Sequence, residues 1–290
     1  MTRTSWTIGL AVVFAVLQHA AADDVAYQLS YTENCTFYIS NLQTGAQTPV
    51  GPTGVRYIDH LAVSPKDGTP YGLSYSGDLY TINVSTAVAT LEANDTLPDG
   101  SVGGLAFAPD GTLYAALRAG SLAGKFYAIN IGTGGATEVG ALHPYVSTRA
   151  LAIDNAGRCI GWDGGAKWLF EANLADASTQ SLGYLETPFE AFDYAPDGTL
   201  YGSNAGGALY VVDANQITAT YIRQLGTASG VYAFAIVPEP ATVSLLALGL
   251  PLLKRRRSGA AAAGAAGPDG AGIVLRKMRD RRSWVTIGRR

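Results

Sequence analysis

Apolar and polar positions alternate in short runs through the middle of this 290-residue chain, and the runs themselves recur. Leu61-Ala-Val-Ser-Pro-Lys-Asp-Gly returns as Leu105-Ala-Phe-Ala-Pro-Asp-Gly-Thr-Leu-Tyr, as Leu151-Ala-Ile-Asp-Asn-Ala-Gly, and as Phe192-Asp-Tyr-Ala-Pro-Asp-Gly-Thr-Leu-Tyr-Gly. Phe234-Ala-Ile-Val-Pro begins a fifth copy and stops, and the steps between these anchors are 44, 46, 41 and 42 residues. A second motif follows each copy: Leu79-Tyr-Thr-Ile-Asn, Phe126-Tyr-Ala-Ile-Asn, Leu169-Phe-Glu-Ala-Asn and Leu209-Tyr-Val-Val-Asp. It also occurs early, as Phe37-Tyr-Ile-Ser-Asn, without a full first motif before it. A third, weaker run closes each unit, as in Gly135-Ala-Thr-Glu-Val-Gly. Period-two alternation rich in aromatic and β-branched residues predicts strands. Asp110-Gly111 and Asp197-Gly198 predict hairpin turns, because glycine accepts the positive φ that such turns need. No helical period stands out between residues 24 and 237.

A repeat of just over 40 residues with about four short strands is the signature of a β-propeller blade. The chain enters this pattern partway through one unit and leaves it after the first strand of another. Joining the two fragments gives five complete units. The expected fold is therefore all-β, a five-bladed propeller in which residues 231–236 complete the sheet that contains residues 37–41. Such closure removes sheet edges that would otherwise pair with other chains. Six blades with one degenerate is the alternative.

The two ends of the chain read differently. Residues 1–22 carry Arg3, an apolar core over 8–17, and then Ala20, Ala21 and Ala22, the pattern of a secretory signal peptide cleaved after Ala22. Near the other end Pro238, Glu239 and Pro240 precede an apolar run, 241–253, and then Lys254, Arg255, Arg256 and Arg257. Proline fixes φ and removes a donor, so the tripeptide ends the last strand and stays extended. The basic block favours the cytoplasmic side of a membrane. This order resembles the PEP-CTERM sorting signal of Gram-negative surface proteins. The resemblance covers residues 238–257 and implies recognition of Pro238, Glu239 and Pro240 by an exosortase-like membrane protease. It further implies export to the cell surface or extracellular matrix, in the company of exopolysaccharide or another surface protein. The run 241–253 is 13 residues, about 20 Å as a helix and short of a ~30 Å hydrocarbon core. Residues 258–290, Ala/Gly-rich and then basic, read as a disordered tail, either cytoplasmic or a gene-model artefact.

Charge follows the same division. The overall −3 hides 8 Lys/Arg against 21 Asp/Glu over residues 23–253, and 11 against 2 over 254–290. An acidic domain over residues 23–237 argues against nucleic acid as a partner. Cys35 and Cys159 are the only cysteines, and Cys159 aligns with the core positions Leu113 and Leu200, so it reads as a buried small hydrophobe.

Candidate chemistry is sparse. No His-Glu-x-x-His, Gly-x-Ser-x-Gly, P-loop or Cys-x-x-Cys occurs, and Gly132-Thr133-Gly134-Gly135 reads as a hairpin loop. His60 beside Asp59 is the one pair suited to acid/base work, but it reads as a polar strand end. Asp67, Asp110 and Asp197 offer oxygen to calcium, yet each precedes glycine in a tight turn, where aspartate serves conformation. Trp162 and Asp163 suggest a sugar-stacking surface, against which stands ordinary packing of aromatics within blades. Asn34, Asn83 and Asn94 head Asn-x-Ser/Thr sequons, and Asn83 holds the repeated Asn/Asp position at a strand end. The expectation is an exported, surface-sorted binding or matrix protein with no catalytic set and no cofactor. The alternatives are a metal-dependent propeller enzyme of lactonase or lyase type and a purely structural envelope protein.

Overall fold

A computed structural model describes residues 25–30, 33–98, 101–226 and 231–237. The secretory residues Ala20 and Ala22, the sorting residues Pro238, Glu239, Pro240, Arg255, Arg256 and Arg257, and the tail 258–290 lie outside the described residues. So does the run 241–253; among the described residues no helix is long and apolar enough to cross a membrane.

Twenty strands form five antiparallel four-stranded sheets. The first sheet holds β1 (Val25–Ser30), β2 (Thr36–Asn41) and β3 (Gln47–Pro52). The second holds β4 (Ile58–Val63), β5 (Pro70–Ser74), β6 (Leu79–Ile82) and β7 (Ala89–Ala93). The third runs β8 (Val102–Phe107), β9 (Leu113–Leu117), β10 (Lys125–Ile129) and β11 (Ala136–Ala141). The fourth is β12 (Thr148–Ile153), β13 (Cys159–Asp163), β14 (Trp168–Ala172) and β15 (Thr179–Tyr184). The fifth is β16 (Ala191–Tyr194), β17 (Leu200–Ser203), β18 (Ala208–Asp213) and β19 (Thr218–Gln224). The last strand, β20 (Val231–Ile236), returns to the first sheet and pairs with β1, giving the order β20-β1-β2-β3. Helix among the described residues is limited to one 3-10 turn, Gly120–Leu122. This is a five-bladed β-propeller, closed as the phase of the repeat requires.

The innermost strands make the ring. β20 lies against β4, β4 against β8, β8 against β12, β12 against β16, and β16 against β20. Apolar clusters fill the spaces between successive blades, so the core is distributed around the ring rather than gathered in one centre. The anchor alanines explain how the blades come close. Ala62 packs toward the third blade, Ala106 toward the fourth, Ala152 toward the fifth and Ala235 toward the second. A small side chain at each of these positions lets neighbouring inner strands approach near the axis. Cys35 and Cys159 are buried in two different interfaces and form no disulfide, and Cys35 Sγ accepts the Ile58 N–H at 3.3 Å.

Hairpin chemistry matches the repeat. Asp110 and Asp197 each accept the N–H two residues on through Oδ1, at 2.8 and 2.9 Å, while Gly111 and Gly198 both have φ of +87°. Asp67 does the same toward Thr69 at 3.1 Å. These aspartates act as turn residues, and the metal reading of them finds no gathered ligand set among the described residues.

Phe234 of β20 is fully buried at the seam between the fifth and first blades, beside Leu209 and Leu225. Phe234→Ala will therefore lower unfolding stability by about 3–5 kcal/mol, read as a shift in the urea midpoint. The same substitution at exposed Tyr221 of β19 will cost much less than this.

Candidate functional site

The inner strands begin at one end of the axis, here the upper end, and four of the five carry the same irregularity. Pairing skips Asp59 between Ile58 and His60, Gly103 between Val102 and Gly104, and Arg149 between Thr148 and Ala150. It skips Tyr232 between Val231 and Ala233, and in the fifth blade Glu190 and Ala191 both oppose Ser203. A β-bulge re-aims one side chain and bends the strand. Bulges in four blades and the bend at Glu190 in the fifth bring one repeat position to the upper mouth, where it holds Asp59, Gly103, Arg149 and Glu190. The repeat holds its architecture here while varying the chemistry completely. At Gly103 a Cβ would meet the Thr148 carbonyl oxygen at 1.8 Å, so the approach of the fourth blade leaves room only for glycine.

The side chains of this ring form a polar network. Ser101 donates from Oγ to Asp59 Oδ2 at 3.1 Å. Arg118 donates from Nε to Ser101 Oγ at 3.0 Å and to the Val102 carbonyl at 3.1 Å. Across the mouth, Arg149 Nη1 pairs with Glu190 Oε1 at 2.8 Å, with the glutamate side chain only 13 % exposed. Burial pushes the Glu190 carboxyl up, and Arg149 and then Arg118 pull it back. His60 is 6 % exposed, and burial followed by the charges of Arg118 and Arg149 holds it down at about 3. The imidazole is neutral across the physiological range. Two guanidiniums thus act on one histidine and one carboxylate, and they converge from the third and fourth blades.

These observations revise part of the sequence reading. His60 is an inward residue of β4 packed at the ring, not a polar strand end. Trp162 and Asp163 form no stacking surface. Trp162 is 2 % exposed and donates from Nε1 to the Leu185 carbonyl, while Asp163 accepts the N–H groups of Ser147 and Ala166. Trp162 is covered by the neighbouring fifth blade, where its ring meets Phe189 edge-on at 5.7 Å. Asn83 is a turn residue whose Oδ1 accepts from Ser85 and Thr86. Gly132-Thr133-Gly134-Gly135 forms the β10–β11 turn. Arg118, Arg149 and Glu190 belong to no sequence motif. The signal that could have found Arg149 and Glu190 is disagreement within the repeat, since the aligned position carries Asp59, Gly103, Arg149, Glu190 and Tyr232 in its five copies.

No family model matches the chain, and no curated protein matches it. Among solved structures, one chain of a crystal structure of a nidogen/laminin complex is similar, with a TM-score of 0.51 and 12 % identity. The match covers 73 % of this chain and 98 % of that one, and it supports the propeller fold.

His60 makes stability fall with acid. Its folded value lies below the unfolded value, so the unfolded chain binds the proton more readily as pH drops from about 6.5 to about 3. On the order of 4 kcal/mol is lost across that window. Asp193, raised by burial to about 7, works in the opposite sense over much of this window, so the readout is the difference between wild type and His60→Gln. In urea unfolding at steps between pH 7 and 3, the wild type will lose more stability than the variant as pH falls.

Proposed function

We propose that the chain is an exported, surface-sorted binding protein whose upper mouth grips a hydroxyl-rich polysaccharide segment. The observation that carries this reading is the set of charged side chains that four blades bring to the upper end, where Asp59 and Arg118 are bridged by Ser101 and Arg149 pairs with Glu190. Alternating acceptors and fork-shaped donors suit vicinal hydroxyls, each of which both donates and accepts. The state of His60 favours binding over catalysis. A base held near 3 is poorly matched to proton transfer at neutral pH, whereas a neutral imidazole remains a good hydrogen-bonding group. The similar solved chain comes from a complex, in keeping with a fold used for association.

Sorting completes the reading. Pro238-Glu239-Pro240 follows β20 directly, so an exosortase-like protease would act just beyond the closing strand. The ring would then leave the membrane with its last strand already paired. A metal-dependent lactonase or lyase and a purely structural envelope protein are the competing readings.

Two outcomes follow. In the full-length protein, Arg149→Ala and Arg118→Ala will each weaken binding to acidic and neutral polysaccharides at least tenfold on a glycan array, with the fold intact by circular dichroism. Unchanged binding in both variants overturns the upper-mouth assignment. Mass spectrometry of the mature protein from its host will give a start at Asp23 and an end near Pro238–Pro240. A chain running to Arg290 overturns the sorting assignment.

A further inference from the structure

The lower end of the axis, where the inner strands finish, holds a second and chemically different feature, independent of the upper mouth. A funnel of about 290 Å³ is lined there by strand ends from all five blades. Its wall is mostly aliphatic and aromatic, with Ala62, Val63, Ala106, Phe107 and Ile153 on one side. Among its described lining residues there is no Lys, Arg or His. Asp193 stands on the other side.

Asp193 breaks the repeat. Aligned copies place Ala62, Ala106, Ala152 and Ala235 at its position, the spacer alanines of the other interfaces. Its Oδ2 accepts the Ile236 N–H at 2.7 Å and its Oδ1 the Tyr194 N–H at 2.9 Å. Each carboxylate oxygen has a second lone pair, so both can still accept from a ligand. Burial pushes this carboxyl up to about 7, against the pull of the two N–H groups, so it lacks a countercharge within the protein.

Backbone groups add to the lining. Ser64, Ala108, Asp154, Ala195 and Val237 donate outward to the adjoining strand, at Thr69, Thr112, Arg158, Thr199 and Val25. Alternation along an antiparallel edge turns the N–H and C=O of the preceding residues toward the axis. The carbonyls of Val63, Phe107 and Ile153 therefore face the funnel. Asp154 also lines the funnel, its Oδ1 accepting the N–H groups of Ala156 and Arg158, and the first turns of three other blades set Asp67, Asp110 and Asp197 beyond it. A hydrogen bond from the Ser64 side chain lowers Asp67, and the Thr112 backbone N–H lowers Asp110, so both are ionised at neutral pH. Arg158 on this rim is already paired with Glu171 at 2.7 Å, which leaves Lys66 as the opposing charge of these turns.

We propose that the lower funnel binds a primary ammonium group carried on a short unbranched aliphatic chain, with Asp193 as its counter-ion. The three donors of the ammonium meet the carboxylate and the inward carbonyls, the methylenes meet the apolar wall, and the acidic rim attracts the charge. A divalent metal fits less well, since it seeks six or more oxygens, while the wall supplies two carboxylates from different blades, Asp154 and Asp193, and no three metal-ligating side chains gather among the described residues. The ammonium can come from a free alkylamine or from a lysine side chain of a partner protein, and the two differ in what is attached beyond the fourth methylene.

The test is isothermal titration of the full-length protein with n-butylamine, with a capped Gly-Lys-Gly peptide, and with n-butanol and calcium chloride as controls. Saturable binding of n-butylamine assigns a free amine, and saturable binding of the peptide alone assigns a partner lysine. In either case Asp193→Asn and Asp193→Ala will weaken binding at least tenfold. Asp193→Ala recreates the residue of the four other copies, so it keeps the ring closed, checked by an unchanged circular dichroism spectrum. Absence of binding by both amines, equal binding of n-butanol, binding insensitive to Asp193→Ala, or calcium binding lost in Asp193→Asn would each overturn the proposal.

Discussion

The antiparallel pairing of β20 with β1 is the constraint on which everything else rests. It joins residues more than 200 positions apart and turns a row of blades into a ring. Without it the first sheet lacks its inner strand, and the apolar faces of the first and fifth blades have nothing to cover them. Phe234 and Ile236 complete one interface, while Ala233 and Ala235 complete the next. Asp193 adds a side-chain bond across the same seam, from the fifth blade to the Ile236 backbone. Loop-closure entropy must be met before any of these contacts form, which makes the seam the cooperative step of the fold.

Closure also creates the two ends of the axis. An inner strand has a paired side and an unpaired side, and five such strands in a ring turn their unpaired edges toward one another. At the upper end bulges redirect side chains into that space, where Arg149, Glu190, Asp59 and Arg118 form a charged and nearly balanced network around a neutral His60. At the lower end the edge is regular, the lining side chains are mostly apolar, and the carboxyls of Asp154 and Asp193 interrupt them. The same architecture therefore offers a polar mouth and an oily funnel, separated by the length of the inner strands.

Both ends owe their character to departures from the repeat. The conserved pattern within the chain, anchor leucine, spacer alanine and Asp-Gly turn, maintains a uniform frame. The distinct chemistry of the two ends comes from positions where the copies disagree, such as Ala62 against Asp193 or Gly103 against Arg149. A repeat protein can vary these sites freely because each blade is held by its own turn and its two neighbours.

Read alone, the sequence determined the all-β class, the blade boundaries, the turn aspartates and the five-fold count. Strand periodicity and Asp-Gly turns are local properties, and the phase of a tandem repeat fixes how its ends must join. Only the tertiary structure decided that His60 faces the ring, that Trp162 is buried, and that Arg118 and Arg149 meet at one mouth. Those facts depend on a bulge that shifts register by one residue and on blades brought together across 40 or more positions. A period-two pattern cannot report either, because a bulge reverses the facing of every residue beyond it and closure, not sequence distance, sets which blades are neighbours.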